Sequence, residues 1–342
     1  MLSYINTEDI LLANEVWTFA EQTDGHLDSL SYELLGRGRA LADKLDTELA
    51  SVILGNNIDR DGIKELFERG ADKVYLVERP ELKSYLNDIY SNVLIHLVEK
   101  YEPQIFLAGA STTGRSVMPY IAAKIVTGLT ADCTEFDIEE ETGNLLQTRP
   151  AIGGNIMATI KTPDHRPQMA TVRPKSTPVP PRDESRTGEI IEVDVPDSLL
   201  KGREKKVGFR PLDTDDGNIQ EADKIVAGGR GLKKSDNFRL INDLAHRIGG
   251  AAGATRDAVD RGWAEYPQQI GLSGKTVVPK LYMGFGISGA IQHLAGMKTS
   301  DVIVAVNNDK QAQIFQVADF GIVGDIFEII PEIMCELDKR NL

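Results

Sequence analysis

Cysteine is scarce in this sequence of 342 residues, which contains only Cys133 and Cys335. Two isolated cysteines give neither a disulfide framework nor a CxxC pair for metal binding or redox chemistry. The five histidines lack the HxxxH spacing that is typical of zinc ligands. We therefore predict no metal site and a protein of a reducing compartment, the cytoplasm.

An excess of positive charge is also absent, because the formal net charge is −14 at pH 7. Neutralising nucleic-acid phosphates takes clustered Lys and Arg, and an acidic surface disfavours docking on anionic lipid. The longest apolar runs have the length of a strand, and residues 1–8 lack the basic segment of a signal peptide. We expect no nucleic-acid partner, no membrane insertion, and a surface compatible with basic protein partners.

The first half of the chain alternates strand-like and helix-like segments. Short apolar runs predict strands at residues 16–20, 51–54, 73–77 and 104–108. Apolar residues at helical spacing predict helices at residues 34–45, 61–69 and 87–100. Such alternation is typical of a parallel α/β sheet.

The pattern changes after residue 129 and begins again at residue 224. Turn residues at 142–144 and 153–154 separate three predicted antiparallel strands at residues 133–138, 145–149 and 156–160. Several prolines and an acidic loop at residues 213–217 follow, so we predict a domain boundary near residue 210. Beyond it we predict strands at residues 224–227, 281–285 and 302–306, and helices at residues 238–248 and 326–337.

The strongest nucleotide-binding motif is Gly284-Phe-Gly286-Ile-Ser-Gly289, which follows a predicted strand and precedes a predicted helix start at residue 290. It matches GxGxxG, in which glycines let the backbone approach a pyrophosphate and the helix N–H groups and dipole favour negative charge. Ser288 can add a hydroxyl donor, and Asp309 falls where a ribose-binding acid would. The alternative is a tight strand–helix turn.

Two further glycine-rich loops precede this motif in the chain. Gly228-Gly-Arg230-Gly231 offers either an arginine for bidentate phosphate binding or a surface arginine that caps a turn. Residues 270–276 end like a Walker A loop, but Gln269 stands in place of the first glycine, so we exclude a P-loop NTPase. This loop places Ser273 near a ligand, or only in a turn.

Taken together, these segments resemble the FAD domain of electron transfer flavoprotein alpha subunits. The matching segments are residues 228–233, 255–260, 269–275, 286–297 and 320–325, in the family's order and spacing. Gly-Ile-Ser-Gly-Ala-Ile-Gln-His-Leu-Ala-Gly-Met at 286–297 is the most specific. In the first half, residues 32–42 and 127–134 resemble the family's N-terminal domain, and residues 148–157 and 166–174 resemble its anaerobic-type members.

The resemblance implies an α/β protein whose N-terminal nucleotide-hydrolase-like α/β domain, residues 1–210, contacts a partner subunit. A C-terminal parallel-sheet α/β domain, residues 211–342, would bind FAD in a shallow cleft between subunits. The implied FAD contacts are Arg230, Thr255, Arg256, Ile270, Gly271, Leu272, Ser273, Ser288, Gly289, Ala290, Ile291, Gln292, His293, Asn307 and Asp325.

Three of these residues are expected to tune the flavin's redox potential. By resemblance, Arg256 lies at the isoalloxazine ring beside Thr255, Ser273 bonds flavin N5, and His293 reaches O2. A fixed guanidinium and a donor at O2 stabilise the negative charge of reduced flavin and so raise its potential. From the residues alone, Arg256 is equally a surface ion pair with Asp257 or Asp260, and His293 a packed histidine.

The remaining contacts are assigned to the nucleotide part of FAD, again by resemblance. Arg230 would bind the pyrophosphate region, and residues 288–293 would wrap the phosphates and the ribityl chain. Asn307 and Asp325 would hold the adenosine end.

The sequence leaves three functions open. An electron carrier needs no acid–base pair, because its chemistry belongs to the cofactor. An NAD-dependent dehydrogenase would rest on residues 284–289 and should have a catalytic Tyr-Lys or His-Asp set, which we do not find. A non-catalytic nucleotide-binding module built on the first half would leave the second-half motifs unexplained. A yellow purified protein would favour only the first.

The resemblance also implies partners. We expect a heterodimer with an electron transfer flavoprotein beta subunit that carries a second FAD or AMP, and an acyl-CoA dehydrogenase as redox partner. The anaerobic-type segments favour an electron-bifurcating complex that uses NADH and a ferredoxin or flavodoxin; the alternative is a simple one-electron carrier. Oxidoreductase activity is expected only together with the partner subunit and a dehydrogenase.

Overall fold

The structure is a computed structural model that describes residues 15–151, 156–208 and 219–340. The chain divides into two compact units, residues 1–209 and 210–342. The predicted turn at residues 153–154, the acidic loop at residues 213–217 and residues 1–8 lie outside the described residues. The α/β class is confirmed in both units, while the roles assigned to residues 1–210 and 211–342 stay predictions.

A seven-stranded parallel sheet forms the centre of the first unit. In chain order the elements are β1 (Glu15–Ala20), β2 (Gln22–Thr23), β3 (His26–Leu27), α1 (Ser29–Leu45), β4 (Glu48–Gly55), α2 (Arg60–Glu68), β5 (Lys73–Glu78), α3 (Asn87–Tyr101), β6 (Ile105–Gly109), α4 (Gly114–Ile125), β7 (Leu129–Cys133), β8 (Glu135–Ile138), β9 (Leu145–Pro150), β10 (Met157–Ile160), β11 (Gln168–Val172) and β12 (Glu189–Glu192). The strand order is β12-β5-β4-β1-β6-β11-β7. Apolar side chains pack on both faces of this sheet in two clusters, which explains the continuous apolar runs of its central strands.

The predicted strand–helix alternation of the first half is confirmed, and the first unit also contains helix α4 and strands β2, β3, β7, β11 and β12, which were not predicted. The helix α4 and the strands β11 and β12 had no clear periodic signal. β11 is five residues long and wholly buried, whereas β12 is a largely exposed strand at the sheet edge. β11 pairs with β6 and β12 pairs with β5, so pairing within the sheet determines the extended conformation that the local sequence does not specify.

The segment at residues 133–138 is not one antiparallel strand, so that prediction is wrong in part. Its first residue, Cys133, ends β7, which pairs in parallel with β11 in the large sheet. The chain then turns into β8, which pairs antiparallel with β9, and β9 pairs antiparallel with β10. Cys133 is fully buried, and burial raises the pKa of its thiol to about 12.

A five-stranded parallel sheet forms the centre of the second unit. Its elements are β13 (Lys224–Gly228), α5 (Arg239–Arg247), β14 (Ala251–Ala254), α6 (Arg256–Asp260), β15 (Leu281–Phe285), α7 (Ile291–Leu294), β16 (Ile303–Asn307), β17 (Phe320–Val323) and α8 (Ile326–Lys339). The strand order is β14-β13-β15-β16-β17. The predicted strands and both long helices are confirmed. β14 was not predicted, because its alanines and glycine have low strand propensity and only burial in the sheet selects that conformation.

No helix in the described parts of the chain is long and apolar enough to cross a membrane. The same residues contain no group of three or more His, Cys, Asp or Glu side chains that could hold a metal ion.

Candidate functional site

Four neighbouring strands of the second unit, β13 to β16, end at one edge of their sheet. Arg230 lies just after β13, Thr255 after β14 and Ser288 after β15, and Asn307 is the last residue of β16. The carboxyl ends of parallel strands, with the loops that follow them, form the ligand crevice of open α/β sheets. A cleft of about 770 Å³ lies here, within the size range of cofactor sites.

The loops after β13 and β15 meet where the strand order reverses, since β14 pairs on one side of β13 and β15 on the other. The N–H of Gly231 donates to the carbonyl oxygen of Gly286 at 3.0 Å. A Cβ on Gly286, whose φ is +62°, would lie 2.7 Å from the Cα of Gly231. Glycine in both loops therefore permits their close backbone approach beside the cleft.

All but three of the predicted cofactor-binding residues line this cleft; Gly289, Ile291 and Asp325 do not. The cleft is also lined by Gly231, Asp257, Asp260, Gly286, Ile287, Asn308, Asp309 and Ala312, which were not in that prediction. Asp325 caps α8 by accepting the Phe327 N–H at 2.9 Å. Because no ligand contact tests the assignments, the whole set stays a prediction.

Two guanidinium groups line the cleft and differ in their partners. Within the described residues, no carboxylate pairs with the exposed Arg230 side chain, so it is available to an anion. Arg256 is 69% exposed, and its Nε lies 3.3 Å from Oδ2 of Asp260. The surface ion pair considered for Arg256 therefore exists, and it involves Asp260, since Asp257 pairs with Arg261.

Two hydroxyl groups of the cleft have spare hydrogen-bonding capacity. The buried Oγ1 of Thr255 has no hydrogen-bond partner among the residues that the structure describes. The Oγ of Ser273 accepts from Nε2 of Gln269 at 3.1 Å, so its proton is free to be donated. Ser273 therefore lies in a turn and can also donate a hydrogen bond to a ligand, so both alternatives considered from the sequence are compatible with its position.

His293 is buried, with 6% of its surface exposed, and both its ring nitrogens are bonded within the protein. Nδ1 lies 3.0 Å from the carbonyl oxygen of Ile270, and Nε2 lies 2.8 Å from the hydroxyl of Tyr282. A carbonyl oxygen only accepts, so we assign the proton to Nδ1, and Nε2 accepts from tyrosine. Burial lowers the pKa of His293 to about 4. Donation to flavin O2 stays a prediction, and it requires one of these bonds to break.

The helix after residues 284–289 is shorter than the GxGxxG motif implies. It comprises only Ile291–Leu294, a single turn. So short a helix contributes little macrodipole, and the phosphate binding expected of this loop stays a prediction. Contacts to a phosphate would then come mainly from backbone N–H groups of the loop.

Comparison with protein families covers both units. Residues 16–198 match the electron transfer flavoprotein domain, and residues 218–298 match the electron transfer flavoprotein FAD-binding domain. The chain belongs to the electron transfer flavoprotein alpha-subunit family. The family resemblance predicted from the glycine loops is thereby confirmed.

Relatives match this family member over nearly its whole length. The electron transfer flavoprotein subunit alpha of Thermoanaerobacterium thermosaccharolyticum is 47% identical over 95% of this chain and 98% of its own length. Protein FixB of Clostridium saccharobutylicum is 47% identical over 94% and 95%, respectively. The electron transfer flavoprotein subunit alpha of Megasphaera elsdenii is 43% identical over 95% and 97%. An electron-transfer role follows from this membership.

FAD is the cofactor of this family's second domain, so the predicted cofactor is confirmed. The cleft fits such a group in three respects. Its volume suits a large ligand, the Arg230 guanidinium is available for a phosphate, and Thr255 presents a buried hydroxyl that lacks a partner among the described residues.

Tyr282 is the functional candidate that the sequence did not reveal. It lies within an apolar strand, β15, where its neighbours give no sign that its hydroxyl reaches a cleft residue. Only the packing of α7 against β15 shows that it bonds to His293.

Proposed function

We propose that this chain is the FAD-binding half of a heterodimeric electron carrier of the cytoplasm, paired with an electron transfer flavoprotein beta subunit. It would pass electrons between a donor, NADH or a dehydrogenase, and an acyl-CoA dehydrogenase-type partner. The observation that carries this proposal is the convergence of Arg230, Arg256 and Ser273 on one cleft at the carboxyl edge of the sheet.

The residues of the cleft bind and polarise and do not transfer protons to a substrate. The bound flavin supplies the electron transfer itself. Arg230 would hold the pyrophosphate region, and Arg256 would balance negative charge on the reduced ring, because a guanidinium stays charged and stacks on planar groups. Thr255 and Ser273 would fix the ring by hydrogen bonds. We find no acid–base dyad in the cleft within the described residues, since His293 is neutral and bonded on both sides.

The finer proposal is electron bifurcation, with a second FAD in the beta subunit and ferredoxin or flavodoxin as the low-potential acceptor. Its support is the likeness of residues 148–157 and 166–174 to anaerobic-type members, together with relatives in Thermoanaerobacterium and Clostridium. A simple one-electron carrier without bifurcation is the alternative.

A reductive titration of the purified heterodimer tests both the electron-carrier proposal and the bifurcation proposal. Two FAD per heterodimer, both reducible by NADH, would support bifurcation, whereas one FAD that passes single electrons would contradict it. Absence of flavin even after reconstitution with FAD and the beta subunit would overturn the main proposal. Arg230→Ala should lower FAD retention at least tenfold. The matched control Arg247→Ala should not, because Arg247 pairs with Asp338 on α8 and does not line the cleft.

A further inference from the structure

Tyr282 and His293 form a hydrogen-bonded chain that joins three elements around the cleft. Tyr282 lies on β15, His293 on the single-turn helix α7, and the chain ends at the carbonyl oxygen of Ile270, in the loop that carries Ser273. Tyr282 is wholly buried, and its hydroxyl has no other partner among the described residues. A buried hydroxyl with one acceptor has one low-energy orientation, so its proton points at Nε2.

The bonds of His293 determine where its proton resides. Nδ1 must donate, because its partner is a carbonyl oxygen, and Nε2 must then accept from the Tyr282 hydroxyl. Exchanging the tautomer would place an N–H against the tyrosine and leave the Ile270 carbonyl without its donor. Protonating the ring would set two N–H groups against the same two partners, so the tyrosine would have to turn its own proton away into an apolar surrounding.

The same chain fixes the distance between two walls of the cleft. The N–H of Leu272 donates to the carbonyl oxygen of Gln292 at 2.7 Å, next to the His293–Ile270 bond. Loop 270–273 is therefore tied twice to α7. A change at Tyr282 would reach Ser273 through His293 and not by direct contact.

We propose that Tyr282 is a positioning residue that holds His293 as the neutral Nδ1–H tautomer and so leaves charge balance at the flavin to Arg256. This inference rests on the proposed flavin site for its consequence, but the tautomer itself is a property of the protein. The charged side chains that line the same cleft are Arg230, Arg256, Asp257, Asp260 and Asp309, and among the described residues none is bonded to His293.

The first test needs no substitution at Tyr282. The full chain in its complex with the beta subunit, labelled with ¹⁵N-histidine, is measured by NMR with and without FAD. We expect a protonated Nδ1 and an unprotonated Nε2 for His293 in both states at neutral pH. Resonances are assigned by their loss in His293→Gln. A protonated Nε2 in the FAD-loaded complex would overturn the proposal, whereas absence of bound FAD would contradict only the proposed function.

The second test is Tyr282→Phe, which removes the donor to Nε2 and keeps the ring. Hydrogen bonding to the neutral form of a group disfavours its charged form, so its loss should raise the pKa of His293. We expect a rise of about one unit, a tenfold change in proton affinity. The flavin potential should then begin to respond to protonation of His293 at a higher pH than in the wild type, because a cationic imidazole stabilises the reduced flavin.

The matched control is Tyr90→Phe in the first unit, where another buried hydroxyl donates to the Leu82 carbonyl oxygen at 2.8 Å. It should lower stability without changing the His293 titration or the flavin potential. If Tyr282→Phe behaves like this control, Tyr282 is only a core residue and the proposal is wrong. If the variant does not fold, the wild-type tautomer measurement still decides.

Discussion

Nε of Arg256 lies 3.3 Å from Oδ2 of Asp260, one helical turn away on α6 at the cleft. The pair is largely exposed, so it contributes only about 0–1 kcal/mol to stability. Its consequence is electrostatic, because the carboxylate of Asp260 offsets part of the positive charge that Arg256 presents to the cleft.

Asp260→Asn should therefore raise the potential of the bound flavin, because Arg256 keeps its charge and loses its counter-charge. We expect the potential to shift by a few tens of millivolts, while the stability stays nearly unchanged. For a two-electron couple, a shift of about 30 mV corresponds to a tenfold change in the equilibrium constant. Asp257→Asn is the matched control on the same helix, since its partner is Arg261. An equal shift in both variants would show that net charge alone is responsible, and not the contact with Arg256.

Thr255→Val should weaken FAD binding without destabilising the protein that lacks FAD. The Oγ1 atom of Thr255 is buried and has no partner among the described residues, so its removal breaks no hydrogen bond in the unliganded protein. One hydrogen bond to the cofactor corresponds to roughly a tenfold loss of affinity. Equilibrium dialysis of FAD measures it. Thr255→Ser, which keeps a hydroxyl, should bind FAD as tightly as the wild type does. If Thr255→Val also binds FAD with unchanged affinity, the Thr255 hydroxyl does not contact the cofactor.

Gly271→Ala should disorder the loop that carries Ser273. Its φ of +139° is unfavourable for any side chain, and an added Cβ would lie 2.7 Å from the Gln292 carbonyl oxygen. We expect a loss of about 1–3 kcal/mol in the free energy of unfolding together with loss of FAD. Urea denaturation and flavin content check this result.

Gly262→Ala is the control for that substitution. Gly262 has a φ of +71°, but an added Cβ meets nothing within 4 Å. It should show only the backbone penalty, about 1 kcal/mol, and retain FAD. Equal losses in the two variants would contradict the proposed clash with Gln292.

Glu21→Gln should stabilise the first unit at alkaline pH. Burial raises the pKa of Glu21 to about 7, against the hydrogen bond from the Ser111 hydroxyl, which lies 2.6 Å from its carboxyl group. Because its pKa is raised in the folded state, the contribution of Glu21 to folding stability is complete below pH 4.5 and is lost as the pH rises through 7.

The stability difference between Glu21→Gln and the wild type should therefore grow from near zero at pH 4.5 to as much as about 3 kcal/mol at pH 8. Urea denaturation across this range measures it. A difference independent of pH would mean that the wild-type carboxyl does not titrate in this window.

The strand and helix segments were predictable wherever the apolar pattern was long enough. The central strands of the first unit and α8 follow from continuous or helical apolar spacing. β14 and β17 were not predictable, because Ala251–Ala254 is small and Phe320–Val323 is exposed. In both, pairing with a neighbouring strand determines the conformation.

The candidate site was predictable as a set of loops but not as a geometry. Glycine-rich segments after strands indicated a ligand crevice, since glycine permits close backbone approach and parallel strands end at a common edge. The sequence also indicated Arg230, Arg256 and His293. It could not show that Arg256 pairs with Asp260 or that His293 is bonded on both sides, because these contacts depend on distances set by packing.

The sequence by itself determined the α/β class, the family and the order of the glycine loops, because each is written in local residue types and their spacing. Only the tertiary structure decided which nitrogen of His293 carries a proton. That outcome depends on Tyr282 of β15 and the Ile270 carbonyl of a separate loop, which the burial of the His293 side chain brings together. Hydrogen bonds act over about 3 Å, so residues 11 and 23 positions apart in sequence become chemical neighbours only in the folded chain.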